Sequence, residues 1–138
     1  MATSLRLLVG ALGCVVFILI VRKLALKREM TQYAIGLVVA ALIYVGFAVA
    51  FDASFSWLLL EAGGVVLFSL VALIGLRVST WALIIGWVAH TFWDVLLHKV
   101  LNVGFVPEWY PVGCLGFDLL LAVYIIKRVS GNSDAPAT

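Results

Sequence analysis

The chain has 138 residues, 65% of them hydrophobic and 12% charged, with a formal net charge of +2. A soluble domain carries about 25% charged residues, and one small core could not hide this much apolar surface. No basic face or basic–aromatic interleave is present, which excludes nucleic acid as a partner, and Cys14 and Cys114 both sit in apolar runs, which excludes a disulfide framework.

A membrane-spanning helix needs about 20 mostly apolar residues. The first such run lies near residues 5–21. It follows Arg6, lacks a small-residue cleavage site and continues into Arg22, Lys23, Lys27 and Arg28. It therefore reads as a retained anchor with a basic flank rather than a removed signal. Its length is short unless Leu24, Ala25 and Leu26 extend it. Further spans are expected near 31–51, 57–76, 81–98 and 111–126. Asp52 to Ser56, Arg77 to Thr80 and Lys99 to Tyr110 separate them. Pro107 and Pro111 bracket the last loop and suit a helix start. Residues 130–138 are small and polar and read as a disordered cytoplasmic tail after a single transmembrane domain over 1–129. The fold class is all-α, a polytopic bundle of about five transmembrane helices.

Basic residues in short loops set the orientation. With the N-terminus out and the C-terminus in, Arg22, Lys23, Lys27, Arg28, Arg77, Lys127 and Arg128 fall on the inner side, and only Arg6 and Lys99 on the outer. Trp57, Trp109 and Tyr110 then stand at outer helix ends and Trp81 at an inner one, as in an aromatic belt. Gly10 with Cys14, Gly36 with Ala40, and Ala82 with Gly86 have the spacing of close helix contacts. These serve packing within the chain or a homo-oligomer.

Glu61, His90, Asp94, His98 and Asp118 are ionisable residues inside or at the ends of predicted spans. Charge at bilayer depth costs a few kcal/mol per group, so such residues mark function or pair with one another. At about 1.5 Å per residue, Glu61 lies about 6 Å below Trp57, Asp118 about 10 Å below Pro111, Asp94 about 6 Å deep and His90 about 12 Å deep. His98 is at the rim. All five fall in the outer half of the bilayer, where Tyr44 adds a hydroxyl. In an α-helix, residues four apart are about 40° apart, so His90, Asp94 and His98 form one stripe, with Trp87 a turn deeper. Cys114 lies a turn above Asp118 and reads as a small packing residue.

A histidine and a carboxylate at i and i+4 can share a divalent ion such as zinc or iron. His90 and His98 are about 12 Å apart along the axis, too far for one ion. The options are Asp94 with one histidine completed by Glu61 or Asp118, or two ions bridged by Asp94. The same groups without metal form a proton-transfer pair, in a dry pocket lined by Trp87, Phe92 and Trp93. The plain alternative is a set of interhelical hydrogen bonds, with Glu61 and His98 merely interfacial.

His90-Thr91-Phe92-Trp93-Asp94-Val95-Leu96-Leu97-His98, Pro107-Glu108-Trp109-Tyr110-Pro111, Cys114 and Asp118 together resemble a family of small bacterial multi-pass membrane proteins of unknown function. The resemblance spans about the last third of the chain. It implies a bacterial cytoplasmic-membrane location and a shared polar site, and it brings no activity with it.

Three functions fit these residues. One is a membrane-embedded enzyme, metal-assisted or acid–base, acting on a lipid or isoprenoid-like substrate. His90, Asp94 and Asp118 would be catalytic, and His90, Asp94, His98, Glu61 and Asp118 would be metal ligands. The second is a proton- or metal-ion-coupled transporter, which would need a path through an inner half that looks apolar. The third is an accessory subunit binding a partner helix or a pigment, with a histidine as axial ligand. Membrane lipids are neighbours in every case.

Overall fold

A computed structural model describes residues 2–24, 28–101 and 104–133. Its helices are α1 (Thr3–Leu24), α2 (Glu29–Ala50), α3 (Phe55–Arg77), α4 (Thr80–Trp93) and α5 (Trp109–Ser133). A π-helical segment, Asp94–Val100, continues α4. No strand occurs among the described residues. Counting Thr80–Val100 as one, all five helical segments are long and apolar enough to cross a membrane. This fits the all-α, multi-pass expectation. Lipid offers backbone groups no partner, so a spanning segment must satisfy them within itself, as a helix does.

The ends depart from the expected bounds in informative ways. α5 begins at Trp109, which puts Pro111 in its first turn, where a missing N–H costs nothing. α5 also continues through Ser133, past the expected limit at residue 129. Residues 134–138 of the anticipated tail, and Ala25 to Lys27 of the basic loop, lie outside the described residues. α2 closes with Asp52 in the left-handed region (φ 50°) and a bond from Ala53 N–H to the Ala48 carbonyl at 2.9 Å. That is the glycine-type helix stop, made here by an aspartate.

α1 lies along α5, α2 along α3, and α4 packs against both α3 and α5. α1 barely meets α2, which leaves a seam beside α5. At the upper end, where α1 and α5 begin, Arg6 Nη1 reaches the Glu108 carbonyl at 3.5 Å. At the lower end Glu29 ties α2 to α5. Its Oε1 accepts from Tyr33 (2.8 Å) and Tyr124 (2.6 Å), and its Oε2 from Arg128 (2.9 Å).

The distribution of polarity is inverted relative to a water-soluble bundle. His90 and Asp94 are 0% exposed and Glu61 and Asp118 1%, whereas Ile85 is 62% and Val66 61% exposed. Such a surface suits hydrocarbon and would associate in water. Inside, the larger apolar core fills the lower half around Cys14, Leu37, Phe68, Leu83, Leu121 and Ile125. A smaller one, with Tyr44, Ala48, Phe105 and Val106, closes the upper end. The polar residues lie between the two.

The close approach of α1 and α5 depends on glycine. A Cβ on Gly10 would overlap the Gly113 carbonyl oxygen, and one on Gly116 would overlap that of Leu7. Gly86 likewise seats Leu37 and Val71. Gly10, Gly86 and Gly116 therefore serve contacts within the chain. Replacing Gly10 by Val should lower unfolding stability in detergent by about 1–3 kcal/mol, as overpacking does. Gly63→Ala, whose Cβ meets nothing within 4 Å, should not lower it and should raise it slightly, because alanine is the better helix former. Thermal unfolding followed by circular dichroism checks both.

Candidate functional site

Two helices supply the centre of the site. One turn of α4 separates His90 from Asp94, so both face the interior, and α5 brings Asp118 against them. His90 Nδ1 shares a hydrogen bond with Asp118 Oδ2 at 2.9 Å and lies 3.5 Å from Asp94 Oδ2, too long for a good hydrogen bond. One ligand atom from each of the three residues falls within 4.8 Å of the others. Both oxygens of Asp94 and Nε2 of His90 lack a hydrogen-bond partner. Nδ1 faces both carboxylates, so it carries the proton when the imidazole is neutral, and Nε2 is then a bare acceptor.

The expected single stripe divides at Asp94. Hydrogen bonds to the fifth residue back widen the turn in the π-helical segment, so four residues no longer complete a turn. His98, about one turn farther toward the upper end, meets α3 instead. Its Nε2 lies 3.1 Å from Glu61 Oε1 of α3, a close contact whose angles do not make a directed hydrogen bond. Trp93 Nε1 donates to Glu61 Oε2 at 3.2 Å. Gly64 makes room for that indole, since a Cβ there would sit 2.8 Å from Trp93 Cζ2. The five ionisable residues thus form two groups, His90/Asp94/Asp118 and Glu61/His98. Asp118, not Glu61, completes the set around His90 and Asp94. Among the described residues the second group offers no third ligand, so the arrangement of two ions bridged by Asp94 lacks its other half.

Tyr44 of α2 joins the two groups. Its ring stacks on His98 at 4.1 Å and 11° and stands 6.0 Å from His90. Its buried hydroxyl lies in the field of Asp94 and Cys114 without a directed hydrogen bond. Cys114 and Tyr110 also adjoin the carboxylates. Tyr110 is turned inward against Tyr44 and Phe47 (5.5 and 4.9 Å between centroids) rather than standing in an interfacial belt. Its position in the Pro-bracketed loop hid this role. Phe92 is 60% exposed and points away from the site; Phe68, 5.0 Å from His90, takes the place expected for it.

Phe105 and Val106, buried by the chain's return from the π-helical segment, close the site from above. Gly104, at φ 77°, supplies the bend that precedes them, and Phe105 packs on His98 and Trp57 (both 5.8 Å). Access is instead lateral. A cleft of about 330 Å³ follows the seam between α1, α2 and α5, with Asp118, Cys114 and Trp87 in its inner wall. It opens beside the first helices, not among the last three.

Asp94 is costly where it stands, because its carboxylate is buried with neither oxygen bonded. In chelator, Asp94→Leu should be as stable as the unaltered protein or more so. Asp118→Leu, which strands the His90 donor, should lose about 1–3 kcal/mol. Detergent unfolding of the two variants measures the contrast; equal losses would mark the cluster as ordinary packing glue.

No curated protein and no solved structure matches the chain significantly. A family model does so across residues 5–132 and therefore through all five helices and every residue of both polar groups: the chain belongs to the family of unknown function designated DUF6010.

Proposed function

We propose that the protein is a membrane-embedded enzyme that holds one divalent metal ion between His90, Asp94 and Asp118 and acts on a lipid-like substrate. The observation that carries this reading is the charge balance of that cluster. Two carboxylates and one imidazole converge within 4.8 Å, inside an apolar bundle. Like charges so close and so dry repel unless a counter-charge is supplied. A protonated His90 offsets one of them; a divalent ion offsets both and leaves His90 neutral, as a ligand must be. The unbonded Asp94 oxygens supply ligand atoms that already have no competing partner.

Imidazole nitrogen with carboxylate oxygen suits zinc or iron. Three protein ligands that leave a position open are the mark of a catalytic rather than a structural site. The bound ion would supply Lewis acidity. The chain's own part is to hold that charge, exclude water with Phe105, Val106 and Trp87, and keep Tyr44 and Tyr110 as nearby hydroxyls. Glu61 and His98 lie outside the ligand set and support it through Tyr44. The 2.9 Å His90–Asp118 bond also suits a metal-free proton-transfer pair, which is the second reading.

A transporter needs a polar route to the lower end, and an accessory subunit needs a partner. Below the site stands the larger apolar core. The Glu29 cluster beneath it satisfies its own groups. Both features favour a site served from one side. By the positive-inside rule the basic loop residues favour a cytoplasmic lower end, and the site would then face the outer half of a bacterial cytoplasmic membrane.

Protein purified without chelator should carry about one equivalent of zinc or iron. Asp94→Ala should lose it and His98→Ala should retain it, as read by elemental analysis. Metal-free unaltered protein, or equal content in both variants, would exclude this site. Retained metal should also fall as buffer is acidified, because protons compete for His90 and both carboxylates.

A further inference from the structure

The seam between α1, α2 and α5 has a chemistry of its own. Four glycines, Gly10, Gly13, Gly36 and Gly113, line it. Gly36 keeps it open. A Cβ there would stand 3.2 Å from Phe17 and 3.4 Å from Trp87, in the space between the walls. The walls are aromatic: Phe117 lies 5.6 Å from Phe17 and 5.9 Å from Trp87. The rim residues Val9, Val39 and Ile43 are exposed on the surface of the bundle, so the cleft opens sideways into hydrocarbon. An apolar slot facing hydrocarbon takes a hydrocarbon chain.

Its upper mouth is different. Arg6 and Trp109 stand there. Among the described residues the Arg6 guanidinium makes one hydrogen bond, at 3.5 Å to the Glu108 carbonyl, and its Nε is buried without a partner. Arginine offers a fork of donors that matches phosphate oxygens, and near a helix end it reaches for the headgroup layer. Asp118 lies nine residues below Trp109 on α5, about 14 Å along the axis. That is close to half of the roughly 30 Å hydrocarbon thickness. A lipid anchored at Arg6 would therefore bring the middle of its chain, not its headgroup, to Asp118.

We infer that the cleft binds one anionic phospholipid, its phosphate held by Arg6 and its acyl chain running down the glycine-lined wall to Asp118. This goes beyond the enzyme reading above and stands on the cleft's own residues. A second copy of the chain is the other candidate occupant. It would bring an apolar helix and leave Arg6 without its anion.

The test uses the full chain, delipidated in neutral detergent. Thermal stabilisation is titrated with phosphatidylglycerol, phosphatidylcholine and inorganic phosphate, and metal content is measured on the same samples. Phosphatidylglycerol should stabilise the protein at a concentration about tenfold below phosphatidylcholine, and inorganic phosphate should do nothing. Arg6→Gln should erase the tenfold preference. Gly13→Leu should weaken both lipids, because a Cβ there meets only Phe117 at 3.9 Å and a larger side chain enters the cleft without a backbone clash. Melting of each variant without lipid confirms folding. Equal response to the two lipids, stabilisation by phosphate alone, a preference surviving Arg6→Gln, or a detergent-resistant dimer lost in Gly13→Leu would each overturn the inference. Lipid preference in metal-free protein would overturn the metal reading and leave this one standing. Bound metal without lipid preference would do the reverse.

Discussion

Two carboxylates that share one imidazole in an apolar interior form the constraint around which the bundle is arranged. Each ion taken from water into such surroundings costs several kcal/mol unless it is paired and hydrogen-bonded. Asp118 is hydrogen-bonded to His90; Asp94 has the 3.5 Å approach of His90 Nδ1 and no hydrogen bond of good geometry. Stability alone would replace Asp94 by a leucine. Its presence at full burial is the sign that the cluster answers to a requirement other than folding.

The rest of the architecture confines that charge. Apolar cores stand above and below it. Tyr44, Phe68 and Trp87 surround the imidazole with rings at 5.0 to 6.4 Å. His98 pairs with Glu61, so the imidazole nearest the rim does not compete for the carboxylates of the centre. It stands on the π-helical continuation of α4, and wide turns of this kind are rare and recur at functional sites. The glycine contacts between α1 and α5 bring Asp118's helix close enough to complete the bundle, while the slack between α1 and α2 leaves a lateral opening beside the site. Closure from the ends with access from the side is what a substrate dissolved in the bilayer requires.

Much of the fold was legible because spanning helices announce themselves by length and apolarity, and these five do. The inward orientation of His90, Asp94 and Asp118 was legible for a related reason, since an ionisable residue in hydrocarbon turns toward the bundle interior; their meeting at one point was not. Other features left no such trace. The α-to-π transition at Asp94 has no proline or glycine to mark it, so a uniform 3.6-residue period does not reveal it. Tyr110 carries the same composition signal as an interfacial tyrosine and is distinguished only by its packing on Tyr44. Phe92 follows from the same geometry as Trp93 but lies on the lipid side. The cleft depends on which helices fail to touch, and one sequence does not specify helix neighbours.

The most direct measurement is X-ray absorption at the metal edge of protein purified from its native membrane. The account predicts a single bound zinc or iron with one imidazole nitrogen and carboxylate oxygens in its shell, and no sulfur. A shell containing cysteine sulfur or lacking imidazole would contradict it, as would protein with no bound metal.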